Sequence, residues 1–240
     1  MKIIILKNKK EVGKGAAFII ADAVRKNPNM ILGLASGRTV IPLYKELVRL
    51  FNNGKINFSR VRSFNLDEYA GLNEEDKESL RYFMNKNFFS KVDIKSKNIY
   101  FLDGRAENFK KECRKFEKDI KDSGGIDFLI LGIGRNGHIG FNEPGSGFDS
   151  LTRRVKLSEM TRKDNAALFH SKRVPKYALT MGIKTIMKAR KIILLASGKS
   201  KALAVGNAIK GKITEKFPVS ALQRHRNVIF ILDKLAGSLL

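Results

Sequence analysis

His138 and Glu143 share one glycine-rich stretch, Gly132-Ile-Gly-Arg-Asn-Gly-His-Ile-Gly-Phe-Asn-Glu-Pro144, directly after the apolar run at residues 126–131. An imidazole near a carboxylate can take up and release protons near neutral pH. In an open α/β sheet, loops at the carboxyl ends of strands are where ligands bind. Of the three histidines, only His138 has such a setting. The glycines could simply make a tight loop, but a histidine and a carboxylate buried there without use would be costly. Gly132, Gly134 and Gly137 also satisfy the bare dinucleotide pattern. That pattern needs a helix immediately afterwards to receive a pyrophosphate, and Gly140, Pro144, Gly145 and Gly147 prevent one.

A second carboxylate follows another apolar run, in Phe64-Asn-Leu-Asp-Glu-Tyr69. Asp67 falls at a strand end on the same edge as His138, so the two can form a base–acid constellation. The alternative is that Asp67 or Glu68 caps the next turn. Two further turns echo each other: Leu34-Ala-Ser-Gly-Arg-Thr39 and Leu195-Ala-Ser-Gly-Lys-Ser200. Each ends a strand and opens a helix. In each, the glycine lets backbone N–H groups face a ligand, and a cation and a hydroxyl follow, which suits an anion at a helix N-terminus. Neither has the Walker spacing. Each alone could be a capped βα turn; the pair points to a phosphorylated ligand.

The elements that must carry these loops alternate. Strands are expected at residues 2–6, 30–35, 61–66, 98–102, 126–131, 191–196 and 227–232. Helices are expected at 11–25, 41–51, 79–89, 106–121, 158–170 and 200–210. Nearly continuous apolar strands between helices imply a doubly wound α/β fold with a mainly parallel sheet. With 240 residues, 43% of them hydrophobic, and no linker or composition break, one domain over 1–240 is expected. The single Cys113 excludes an internal disulfide and a thiolate metal cluster, and no metal site is expected. The first residues read as a strand rather than a signal peptide. No apolar run is long enough to span a membrane, so a cytoplasmic enzyme without a membrane partner is expected. The net charge of +24 invites a nucleic-acid reading. Its lysines are scattered through every segment, with no basic tail and no aromatic stacking motif, so a solvated surface is the better account and no nucleic-acid partner is expected.

Four segments together, 64–72, 79–89, 132–144 and 174–182, resemble glucosamine-6-phosphate deaminases, and the resemblance covers essentially the whole chain. It implies a Rossmann-like fold and conversion of glucosamine 6-phosphate to fructose 6-phosphate and ammonium, with no organic cofactor. It implies that His138 opens the sugar ring, that Glu143 orients and recharges it, and that Asp67 moves the C2 proton to C1. The loop Ser36, Gly37, Arg38 and Thr39, with Lys201, would hold the sugar phosphate. A mobile lid is implied at about 156–180. Asn136 stands where many members have an acid; an amide can hold His138 but cannot titrate, so the relay would rest on Glu143.

Other departures bear on the substrate. Arg38 replaces a small residue, Val40 replaces a proline, and Ala167 stands where a lid arginine is expected. Arg38 could replace that cation. A deaminase of a related sugar such as galactosamine 6-phosphate is therefore a rival, as is a non-catalytic sugar-phosphate binder; a lactonase of the same fold fits the Asp67 and Asn142-Glu143-Pro144 segments less well. Of the regulatory phosphate site, Ser146 and Arg153 match, whereas Gly147 and Val155 do not, and the chain stops at Leu240. An unregulated short form is expected, with monomer or homo-oligomer left open.

Overall fold

The computed structural model describes residues 1–169 and 173–240. All seven expected strands form in it: β1 (Lys2–Leu6), β2 (Ile31–Leu34), β3 (Arg62–Asn65), then β5 (Ile99–Tyr100), β6 (Phe128–Leu131), β9 (Lys191–Ala196) and β10 (Val228–Asp233). They pair in parallel throughout, in the order β1-β10-β9-β6-β2-β3-β5. Every residue of β2 and of β6 is buried, because helices cover both faces. That is why those segments are uninterrupted apolar runs rather than alternating ones. Just before β6, Asp127 accepts the Ile31 N–H (2.8 Å) and pairs with Arg190, which ties β2 to β6 and to the entry of β9.

The connecting helices are α1 (Lys9–Lys26), α2 (Ile41–Asn52), α3 (Leu80–Asn87), α4 (Phe109–Asp122), α5 (Glu159–Asn165), a short α6 (Ile183–Ile186) and α7 (Ala202–Lys210). Four of them, α1, α3, α4 and α5, start at side-chain caps. Asn8, Ser79, Asn108 and Ser158 accept the N–H groups of Glu11, Tyr82, Lys111 and Thr161. The cap at Asn108 moves the start of α4 past the expected residue 106. The helix expected at 158–170 breaks after Asn165 into a single 3-10 turn, Ala166–Leu168, and its residue 170 lies outside the described residues.

From β2 the chain runs outward through β3 to β5, then returns to place β6 on the other side of β2. Loops leaving β2 and β6 therefore diverge, and a crevice opens between them at the carboxyl edge. A second, antiparallel sheet, β4-β8-β7, stands over that edge; its strands are β4 (Asp67–Tyr69), β7 (Arg153–Lys156) and β8 (Tyr177–Thr180). This sheet was not foreseen, because its strands are three or four residues long and distant in sequence, too short for an alternating signal. Residues 156–180 thus include the end of β7, α5 and β8 as well as 170–172, which lie outside the described residues. Beneath them Tyr69, Leu80, Phe141, Leu157, Val174 and Ala178 form a small core separate from the main one.

Candidate active site

At the crevice lies a cleft of about 430 Å³, inside the usual range for small-molecule sites. Four strand ends line it: residues 35–39 after β2, Leu66 and Asp67 after β3, residues 132–135 with His138 and Gly140 after β6, and Ser200 and Lys201 after β9. α5 closes the remaining side with Asp164 and Asn165. The fold thus gathers Asp67, His138, Ser36, Gly37, Arg38, Thr39 and Lys201 around one space. Asn136 and Glu143 stand behind His138.

The histidine is held by a chain of hydrogen bonds. His138 Nδ1 lies 2.7 Å from Asn136 Oδ1, and the Asn136 amide donates to Glu143 Oε2 at 2.8 Å. An amide oxygen only accepts, so Nδ1 must carry the proton and Nε2 keeps its lone pair. Glu143 thereby sets the amide orientation that sets the tautomer, from 3.8 Å away. Its other oxygen accepts the Ser158 N–H (3.1 Å), and Thr161 Oγ1 lies 3.3 Å from Nδ1. The relay is therefore joined to the start of α5. Burial pushes the imidazole pKa below its ordinary value; the charge of Glu143 opposes this, and Lys201 adds to it. The ring also explains a glycine: a Cβ on Gly134 would stand 2.2 Å from His138 Cε1 and Nδ1.

Asp67 opens β4, where it pairs in register with Thr180 of β8. It is 8% exposed, and its Oδ1 is buried without a hydrogen-bond partner. Burial, helped by the charge of Glu68, pushes its pKa up to about 7. The neighbouring Glu68 faces away. It accepts the N–H groups of Tyr69, Leu80 and Arg81 at 2.8–3.0 Å and so caps α3. Of the two acids, only Asp67 is directed to the cleft.

The two echoing glycine turns share a backbone but not a role. Gly37 and Gly198 both have positive φ, +106° and +92°. Among the described residues, the N–H groups of Gly37, Arg38 and Thr39 have no acceptor, and Ser36 Oγ is buried without a partner. In the second turn, the Gly198 N–H goes to both Asp233 carboxylate oxygens at 3.0 Å. A carboxylate from the end of β10 already fills that anion position, which corrects the expectation that both glycines serve a ligand. The second turn contributes Ser200 and Lys201 instead. Arg38 lies at the cleft and donates weakly to the Asp164 carbonyl (3.4 Å), while Ala167 is exposed.

Sequence reasoning missed Arg135, Ser158, Thr161, Asp164 and Asn165. Arg135 forms a two-pronged ion pair with Asp164, and Asn165 donates to the Tyr69 hydroxyl at 3.0 Å. Ser158 was legible as a helix cap; nothing in the sequence marked Asp164 and Asn165 as facing the cleft.

Fold and cleft together define a Rossmann-like α/β protein with a polar cleft at the switch point of the sheet. The family model for glucosamine-6-phosphate isomerases/6-phosphogluconolactonase matches residues 9–231, and the chain belongs to that family. The glucosamine-6-phosphate deaminase of Thermoanaerobacter sp. (strain X514) is 48% identical over 241 residues, covering 100% of this chain and 95% of that protein. A solved monomeric glucosamine-6-phosphate deaminase superposes with a TM-score of 0.98 at 44% identity, over 100% of both chains. A 6-phosphogluconolactonase from Trypanosoma cruzi shares the fold at a TM-score of 0.79 and 23% identity, over 100% of this chain and 96% of its own.

Proposed function

We propose that this chain isomerises and deaminates D-glucosamine 6-phosphate to D-fructose 6-phosphate and ammonium, in amino-sugar catabolism. The observation that carries the mechanism is the pairing, in one cleft, of a buried acid of near-neutral pKa with a histidine held in one tautomer. Full-length identity of 48% to a deaminase supports the substrate.

In this reading the phosphate rests on the free N–H groups of the Ser36–Thr39 turn, with Lys201 and Arg38 beside it. The His138 Nε2 lone pair takes the anomeric hydroxyl proton and returns a proton to the ring oxygen, opening the sugar. Asn136 and Glu143 hold the imidazole while it carries that proton. Asp67 then removes the proton from C2 and delivers it to C1. A proton of the 2-ammonium passes to O1 as the double bond shifts through an enolamine, and C2 is left as an iminium carbon. Water adds there and ammonium leaves. A single carboxylate serves both carbons because they are adjacent and it stays fixed. A pKa near 7 suits this shuttle, since the base must be free to accept yet able to give the proton back.

No helix of the described residues is long and apolar enough to cross a membrane. The buried thiol of Cys113, its pKa pushed up by burial, and the sugar-phosphate substrate both suit a cytoplasmic setting. An ammonia-release assay over hexosamine 6-phosphates tests the proposal. Glucosamine 6-phosphate should be turned over with the highest kcat/KM; preference for the C4 epimer, or no turnover of any, would refute it.

A further inference from the structure

Three cations, Arg38, Arg135 and Lys201, face one end of the cleft, and Asp164 faces them from α5. Lys201 is desolvated there, under the influence of Asp164, Arg135 and Arg38, and makes no ion pair among the described residues. With one carboxylate set against these three cations, the end keeps an excess of positive charge close to that of a phosphate monoester dianion (about −1.5 to −2 near pH 7). Arg135 is the cation whose position is best defined. Its Nε and Nη2 grip the two Asp164 oxygens, Nε at 2.9 Å, and its other N–H groups remain available. It also sits next to Asn136, which holds His138.

We propose that Arg135 is a ligand of the substrate phosphate, aimed across the cleft by Asp164. This rests on the sugar-phosphate reading of the cleft and adds a recognition residue to it. A guanidinium fork matches phosphate oxygens in a way that a point charge does not. The Arg135–Asp164 pair also joins the His138 loop to α5, so the group that binds phosphate bridges the two elements that hold the histidine relay. The competing account is an ordinary surface ion pair, since the two side chains are 47% and 31% exposed.

The test measures KM and kcat for glucosamine 6-phosphate, and calorimetric binding of inorganic phosphate, in wild type, Arg135→Gln, Arg135→Lys, Asp164→Asn and Arg135→Gln/Asp164→Asn. Arg135→Gln should weaken phosphate binding and raise KM by roughly 10–100-fold, with kcat changing much less, as for loss of one charge-assisted contact. Arg135→Lys should fall between and also guards against a misfolded Gln variant. The loss on removing Arg135 should persist in the Asp164→Asn background, where no ion pair remains to be broken. Unchanged phosphate binding in Arg135→Gln, or a KM rise with phosphate binding intact, would overturn the inference. Phosphate binding needs no turnover, so a wild type that binds phosphate through Arg135 yet releases no ammonia would refute the proposed reaction and leave this inference standing.

Discussion

Replacing Asp67 by Asn should kill turnover and stabilise the protein, and the second effect depends on pH in a way that only a buried, raised acid produces. Asp67 is buried with one oxygen unpartnered, and its pKa lies at about 7 against an ordinary 3.8. The folded protein therefore holds this proton more tightly than the unfolded chain does. Wild-type stability from this group is intact below the unfolded pKa and declines as pH rises toward about 7. At ~1.36 kcal/mol per pH unit, the difference is worth at most ~4 kcal/mol above pH 8. An Asn leaves similar polar atoms under-bonded, so a gain of ~2–3 kcal/mol is expected. For a chain of this size that is a Tm rise of roughly 5–10 °C. Glu68 is present in both proteins and largely cancels. Thermal melts of wild type and Asp67→Asn from pH 4.5 to 8.5 measure it. The variant's advantage should be small at the acid end and grow to a plateau near pH 8. Over the same series kcat should fall ~10²–10⁴-fold, with substrate binding nearly intact. A Tm difference that does not change with pH would show that Asp67 is not a raised acid. Retention of more than about a tenth of kcat would show that it is not the C2 base.

Other tests bear on the remaining parts of the site. Wild-type kcat/KM should rise with pH through an acid limb near 7 as Asp67 loses its proton, and a limb at an ordinary carboxylate pKa would contradict the raised acid. Asn136→Leu removes both links of the relay, the 2.7 Å and 2.8 Å contacts, and should lower kcat ~10–100-fold while KM stays within about threefold; an unchanged kcat would mean that the tautomer is set elsewhere. Lys201→Met should raise KM for glucosamine 6-phosphate ~10-fold or more but leave an unphosphorylated analogue nearly unaffected, and equal losses would remove Lys201 from the phosphate site. Saturation should be hyperbolic with and without N-acetylglucosamine 6-phosphate, because the Arg153 guanidinium is already bonded to Asn142 and Ser146; a Hill coefficient above one that falls with that sugar would refute the unregulated reading.

Much of this protein is local in origin and was legible in the chain. The parallel strands are buried on both faces, so their apolar runs announce themselves, and all seven appeared where expected. The glycine-rich His138 loop and the Ser36–Thr39 turn carry their conformations in their own residue types. Strand-end position alone was enough to place Asp67 and His138 on one edge, whereas Lys201 entered only through the family resemblance. Other features depend on partners distant in sequence. The sheet β4-β8-β7 is built from strands too short to have a period, and it forms because Asp67, Thr180 and Arg153 meet in register. Two turns of nearly the same sequence diverge because Asp233, from the end of another strand, fills only one of them. The raised pKa of Asp67 comes from desolvation by the whole fold, and the clamp of Asp164 on Arg135 joins residues 29 apart in sequence. Sequence pattern reports what a segment does with its own periodicity; burial and long-range charge pairing exist only once the sheet has brought its loops to one edge.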